Sequence, residues 1–171
     1  MIIALTGTPG VGKHTVASYL AKQTGYKIID LNLLLRKKHI KEISISQLNK
    51  IVSPLIEEDS IIVSHMAHLL KSNKIDLFVV LRCNPIILIK RLKKRGYSSS
   101  KIRDNVIFEI LDGEYIEAVE AHKNVAQIDN SSDYVRASKL IIKYLKGGRI
   151  IGDPIDFSVY MPRVLNILGK I

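Results

Sequence analysis

The chain has no tryptophan, a single cysteine and, over 171 residues, only 6% aromatics. One cysteine, Cys83, excludes an intramolecular disulfide, so packing must hold the fold, in keeping with a reducing, cytoplasmic setting. Placed just after an apolar run, Cys83 reads as a structural thiol rather than a reactive one. No uninterrupted apolar stretch approaches the ~18 residues of a membrane-spanning helix, and the N-terminus runs straight into a strand-like segment, so no leader and no membrane contact are expected. Acidic residues are scarce: 16 Asp+Glu against 26 Lys+Arg leave a net charge of +10. That excess draws polyanions to the surface, although solvated lysine decoration accounts for it as well. With 47% hydrophobic and 25% charged residues, no internal repeat and no low-complexity tract, the composition is that of one globular domain with a proper core.

What is present begins at the N-terminus. Ile2-Ile3-Ala4-Leu5 reads as a buried strand, and it ends in Gly7-Thr8-Pro9-Gly10-Val11-Gly12-Lys13-His14-Thr15. This is a phosphate-binding loop: glycines permit the backbone to fold so that successive N–H groups converge on phosphate oxygens. Lys13 adds a point charge, and a helix from Thr15 to Thr24 adds the partial positive charge of its N-terminus. Gly10, Val11, Gly12, Lys13, His14 and Thr15 are therefore the candidate nucleotide-phosphate residues. The position after the lysine usually carries a hydroxyl for the magnesium shell; here it is His14, and Thr15, one residue later, is the candidate metal contact.

Downstream, strand and helix signals alternate. Tyr26 to Asp30 reads as a second strand, followed by the basic segment Leu31 to Lys41. Within it Arg36 is the candidate for gripping a phosphate, a guanidinium fork matching phosphate oxygens; a solvated helix face is the plainer alternative. Pro54 divides residues 44–59 into two short helical pieces. Ser60 to His65 reads as a third strand, with His65 and His68 near its carboxyl end and able to share a helix face. In open α/β sheets ligands lie beyond that end, which makes His65 a candidate catalytic group, while His68 also suits a buried, satisfied imidazole. Zinc would need more ligands than this pair.

Leu77 to Leu81 gives a fourth strand, Pro85 starts a helix, and Ser98 to Ser100 offer caps for one long helix over residues 101–122. Between them Arg91, Lys93, Lys94, Arg95, Lys101 and Arg103 flank a short Gly96-Tyr97 link, where mobile cations could meet a transferring phosphoryl group. Val125 to Asp129 is the fifth strand. Ser132 or Asp133 caps a helix that runs to Lys146 and stops at Gly147-Gly148, leaving residues 147–171 as a tail. The alternation implies a three-layer α/β P-loop NTPase fold, a parallel sheet of about five strands with helices on both faces.

The loop spelling resembles adenylate-kinase-type loops, in which proline stands third and the threonine is displaced by one. Together with His65-Met66-Ala67-His68-Leu69 and Arg91-Leu92-Lys93-Lys94-Arg95-Gly96-Tyr97, continued by Lys101-Ile102, Asn105-Val106 and Glu109-Ile110, the chain resembles the adenylate kinase isoenzyme 6 family. That family is also described as the nuclear adenylate kinase or ribosome-assembly ATPase of archaea and eukaryotes. The likeness covers residues 1–146 and implies a nucleoside-monophosphate-kinase-like domain, with an acceptor-binding segment at 31–59 and a short lid at 91–103. It implies ATP and magnesium as cofactors, AMP as acceptor, ATPase activity, and a part in maturing the small ribosomal subunit beside a platform ribosomal protein or rRNA. Lys13, His65 and Arg95 are then the catalytic candidates, with Arg91, Arg95 and Arg103 on ATP and Arg36 on AMP.

Two positions depart from the pattern. Where the family carries an aspartate two residues before His65, this chain has Val63, which cannot orient magnesium or its waters. Asp30, at the end of the second strand, is a candidate substitute. With His14 also altered, a second function stays open: a nucleotide-gated ribosome-assembly factor with little kinase turnover.

Overall fold

The computed structural model describes residues 1–169; residues 170 and 171, the end of the expected tail, lie outside them. Five strands, β1 (Ile2–Thr6), β2 (Lys27–Asp30), β3 (Ser60–Val63), β4 (Leu77–Arg82) and β5 (Val125–Asp129), form one parallel sheet in the order β2-β3-β1-β4-β5. The chain moves outward from β1 to β2, returns to β3, then crosses to β4 and β5. The strand order therefore reverses beside β1, and a crevice opens at the carboxyl ends of the strands on either side of it.

β1, β3 and β4 are buried along their whole length. Their apolar runs have no polar alternation because both faces are covered. Alternate residues go to opposite sides. Ile3, Leu5, Ile61, Val63, Val79 and Leu81 pack with helices α1 (Lys13–Thr24), α4 (Pro85–Lys94), α5 (Ser99–Ile110) and α7 (Tyr134–Leu145). Ile2, Ala4, Ile62 and Phe78 pack with α2 (Leu31–Lys37) and α3 (Ile45–Val52). The three layers follow from the period-2 alternation of a strand set between two apolar helix faces.

Pro54 acts as expected: α3 ends at Val52, and Ser53–Leu55 form a single 3-10 turn. Several boundaries differ from the sequence reading, most by one residue, and three of them shape the site. Helix α1 begins at Lys13 rather than Thr15, since Gly12, with φ 101°, serves as its N-cap. β3 stops at Val63, so Ser64 and His65 lie beyond the sheet. The long helix expected over 101–122 is two helices, α5 and α6 (Gly113–Ala121), because Asp112 adopts the left-handed conformation, φ 56°, and starts a new helix. On α6, Ile116 and Val119 are exposed.

The segment after α7 packs against the domain. Asp153 accepts from the Asp129 amide at 2.9 Å, and its own amide donates to the Gln127 carbonyl at 2.9 Å. The Arg136 guanidinium holds the same carboxylate and keeps its pKa below the usual range. Phe157 and the last helix, α8 (Met161–Leu168), add Val164 and Leu168 to the core.

Candidate functional site

The loop from Gly7 to Gly12 joins β1 to α1 at the point where the strand order reverses. Gly7 and Gly12 are irreplaceable there for steric as well as conformational reasons. A Cβ on Gly7 would strike the Leu81 carbonyl, and one on Gly12 would lie 2.5 Å from Asn130 Nδ2. Both have positive φ, 131° and 101°. The Asn130 side-chain Nδ2 donates to the Val11 carbonyl at 2.7 Å and ties the loop to the end of β5.

Beneath the loop lies a network that the sequence reading missed. Glu114 Oε1 accepts from the Gly7 amide at 2.8 Å and from the Thr6 hydroxyl. Glu109 Oε2 accepts from the Thr8 hydroxyl at 2.5 Å, and its Oε1 accepts from Arg82 Nε and the Cys83 amide, both at 2.9 Å. Arg82, 1% exposed, also donates to Asp112, Gln127 and the Glu109 carbonyl. The break at Asp112 is what brings both glutamates under one loop. A turn-forming Asp-Gly pair inside an otherwise helical stretch was the available signal.

His68 is buried in the same network, 3.2 Å from the Thr6 hydroxyl, 3.4 Å from Glu114 and 2.9 Å from Glu117. Burial alone would lower its pKa, but Glu114 and Glu117 outweigh it and raise the pKa. Burial would raise the pKa of Glu114, yet the bonds from His68 and Thr6 and the charge of Lys13 take it below the usual range. The satisfied-imidazole reading thus fits His68. It shares no helix face with His65: the two sit around a tight turn that ends in the 3-10 helix Ala67–Leu69.

Above the loop is a cavity of about 300 Å³ lined by Lys13, His14, Thr15, Asn32, His65 and Arg95, with Tyr97 and the loop glycines. A neighbouring cavity of about 230 Å³ shares Gly10, Gly12, Thr15 and Arg95 and adds Arg91, Asn130, Ser132 and Tyr134. Lys13 Nζ bonds the Gly7 carbonyl and, at 3.2 Å, the Thr8 carbonyl. Burial pushes the Lys13 ammonium down to about 8, against the opposing charges of Glu114 and Glu109. An anion at the loop mouth would reverse that shift. His65 stands at the cavity wall with its pKa lowered by the surrounding protein and by the Lys13 charge.

Of the expected site residues, the structure gathers Gly10, Gly12, Lys13, His14, Thr15, His65 and Arg95 around one cavity, with Val11 buried behind it. Arg91 differs from the expectation of a mobile lid cation. Its guanidinium clamps the carbonyls of Gly10, Val11, Asn130 and Ser131 and lies 3.3 Å from Cys83 Sγ. Fork geometry suits several carbonyls at once, and a side chain so tied holds the nucleotide loop to the β5–α7 loop. Arg36 and Arg103 are exposed on α2 and α5 and line neither cavity. The Cys83 thiol is buried and pushed up to about 12, an inert group.

For a divalent cation the loop mouth offers the Thr15 hydroxyl, the Asn32 amide, and His14 backed by Asp30 at 2.9 Å. One or two protein groups plus nucleotide phosphates are what magnesium ordinarily takes, so these residues fit it. Among the described residues no group of three His, Cys, Asp or Glu is placed to hold a metal by itself. No helix among them is long and apolar enough to cross a membrane.

Comparison with known proteins agrees with this geometry. Residues 3–122 match a family model described as an AAA domain. A Pyrococcus abyssi protein named "Putative adenylate kinase" is 38% identical over 140 residues, covering 77% of this chain and 76% of its own. A Methanosarcina barkeri protein of the same name is 31% identical over 176 residues, covering 95% and 94%. Among solved structures, the YorR protein of Bacillus subtilis in complex with phosphorylated GDP superposes with a TM-score of 0.63 at 21% identity, covering 85% of this chain and 96% of that one. That likeness shows the kinase-like P-loop fold.

Proposed function

The chain belongs to the AAA-domain family of adenylate-kinase-like P-loop proteins, and from that premise we propose that it is a magnesium-dependent adenylate kinase, converting ATP and AMP to two ADP. The observation that carries this reading is the pair of adjoining cavities sharing Arg95, Thr15 and the loop glycines, with Lys13 between loop and cavity. One cavity is lined by the phosphate loop and the other opens toward the β5–α7 loop, an arrangement suited to a nucleotide whose phosphates lie on the loop and whose nucleoside lies beside Arg91, Asn130 and Tyr134.

In the transfer, an oxygen of the AMP phosphate bonds to the γ-phosphorus of ATP while the bond from that phosphorus to the β-phosphate bridging oxygen breaks. Two ADP result and no general base is required, because positioning and charge neutralisation carry the reaction. Lys13 and the loop amides hold the β- and γ-phosphates. Arg95, exposed in the turn before α5, supplies charge where it develops, and Arg36 reaches AMP from α2 when the segment 31–59 closes over the acceptor. Thr15 is the residue that would hold a magnesium ion, which would supply neutralisation of part of the phosphate charge. ATP hydrolysis, with His65 orienting a water, is a side reaction of the same site.

One observation favours a second reading. A net charge of +10, with Val63 and His14 at two magnesium positions, suits a slow nucleotide-gated factor acting on the small ribosomal subunit, beside a platform ribosomal protein or rRNA. The test is ADP formation from ATP and magnesium, with and without AMP, in the natural chain and in Lys13→Ala. AMP-stimulated ADP formation that the substitution abolishes is the expected result. ATP binding with no response to AMP would set the kinase reading aside in favour of the assembly factor.

A further inference from the structure

The two departures from the phosphate-loop pattern, His14 and Val63, lie far apart in sequence, yet the fold brings both to one residue. In the parallel pairing of β2 with β3, Asp30 is the register partner of Val63, and Val63 in turn pairs with Leu5 of β1. Asp30 therefore stands level with Val63, one strand over, a lateral step of ~4.8 Å. Its Oδ1 accepts from the Leu33 amide at 3.0 Å and caps α2, while Oδ2 lies 2.9 Å from His14 Nε2. Asp30 is four-fifths buried, and among the described residues His14 is its ion-pair partner. His14 itself lines the 300 Å³ cavity with Thr15 and Asn32.

The other carboxylates near the loop are committed beneath it: Glu114 to Gly7 and Thr6, Glu109 to Thr8, Arg82 and Cys83. Ser64, next to Val63, donates its hydroxyl to Asn32 at 3.3 Å and carries no charge. Asp30 is the acid left to act at the mouth.

Resting on the nucleotide-binding reading above, we propose that Asp30, held by His14, supplies the cation-orienting negative charge that β3 lacks at Val63. The carboxylate fixes the ring of His14, as carboxylates behind metal-site histidines do, and the pair presents its charge to the hydrated cation at the nucleotide phosphates. The acid has moved one strand sideways and the residue after the lysine has changed with it. Asp30 is a positioning residue in this scheme, since the structure places His14 between it and the cavity.

The experiment is an affinity ratio. A fluorescent N-methylanthraniloyl ATP is titrated into the protein with excess magnesium and again with EDTA, and the ratio of the two affinities measures the gain due to the cation. Asp30→Asn keeps the α2 cap, because asparagine caps as well as aspartate does. It is expected to lower the magnesium gain roughly 10-fold while leaving affinity in EDTA unchanged. His14→Gln should lose part of the gain. Val63→Asp added to Asp30→Asn should restore it, read in a double variant whose circular dichroism matches the natural chain. An unchanged gain in Asp30→Asn, a folded double variant without restoration, or a natural chain that binds nucleotide equally with magnesium and EDTA would each overturn the inference while leaving the nucleotide reading intact. Failure to bind in both conditions would overturn the nucleotide reading itself, and this inference with it.

Discussion

The two sides of the phosphate loop are built on opposite plans. Below it, Glu109, Glu114, Arg82, Thr6, Thr8 and His68 are buried and bonded to one another or to the loop backbone. Above it, His14, His65 and Arg95 are exposed around a cavity. The difference teaches that the loop's shape is fixed from beneath, so the side chains above can exchange partners without deforming it. A preorganised loop spends no binding energy on its own ordering, the condition for electrostatic stabilisation of a transferring phosphoryl group. Lys13 belongs to both sides: its ammonium is buried, yet it lines the cavity.

The sharpest way to break the comparison is to remove a partner from below. Glu109→Ala takes from the buried Arg82 guanidinium its fully buried carboxylate partner, leaving only the half-buried Asp112, and breaking a buried pair in this way costs about 3–5 kcal/mol. Urea unfolding should show that loss, and a loss under 1 kcal/mol would mean that the underside does not set the loop. Lys13→Met acts in the opposite sense. It removes a buried charge, so stability should hold or rise, while ATP affinity falls by about 2–3 kcal/mol from lost charge-assisted bonds, read by calorimetric titration.

A pH series sharpens the same point. The folded Lys13 pKa, about 8, lies below its unfolded value of 10.5. Between those values the unfolded chain binds more protons, so the unliganded protein should gain stability as pH rises from about 8 to 10.5. Phosphate binding needs the charged amine, so ATP affinity should weaken as pH rises above about 8, by up to about 1.4 kcal/mol per pH unit. Affinity that stays flat from pH 7 to 9.5 would remove Lys13 from the phosphate contact. The smallest effect is expected at the rim. Arg103→Ala should change stability by less than about 0.5 kcal/mol, since an exposed side chain on α5 leaves nothing unpaired.

How much of this the sequence disclosed follows the same division. The loop was legible because glycine spacing writes backbone conformation directly into the chain, and β1, β3 and β4 because burial on both faces removes polar alternation. The underside was not: Glu109 and Glu114, five apart in a helical stretch, look like members of a solvated face until Asp112 turns the chain between them. Arg82, which nothing in the spacing marks out, is the buried centre of that network. Arg91 read as a lid cation and proved to be a clamp, because sequence spacing does not show which carbonyls converge on a guanidinium. Asp30 was visible as an acid at a strand end, but its level with Val63 became readable only through the strand register.

The central claim, that the open side of the loop takes two nucleotides at once, is tested most directly with two adenosines joined by a five-phosphate chain. Calorimetric titration should show one molecule bound per chain, at least ~100-fold more tightly than ATP, because the linker makes the second contact intramolecular. Binding no tighter than that of ATP would contradict the two-nucleotide site and leave a nucleotide-gated binding protein in its place.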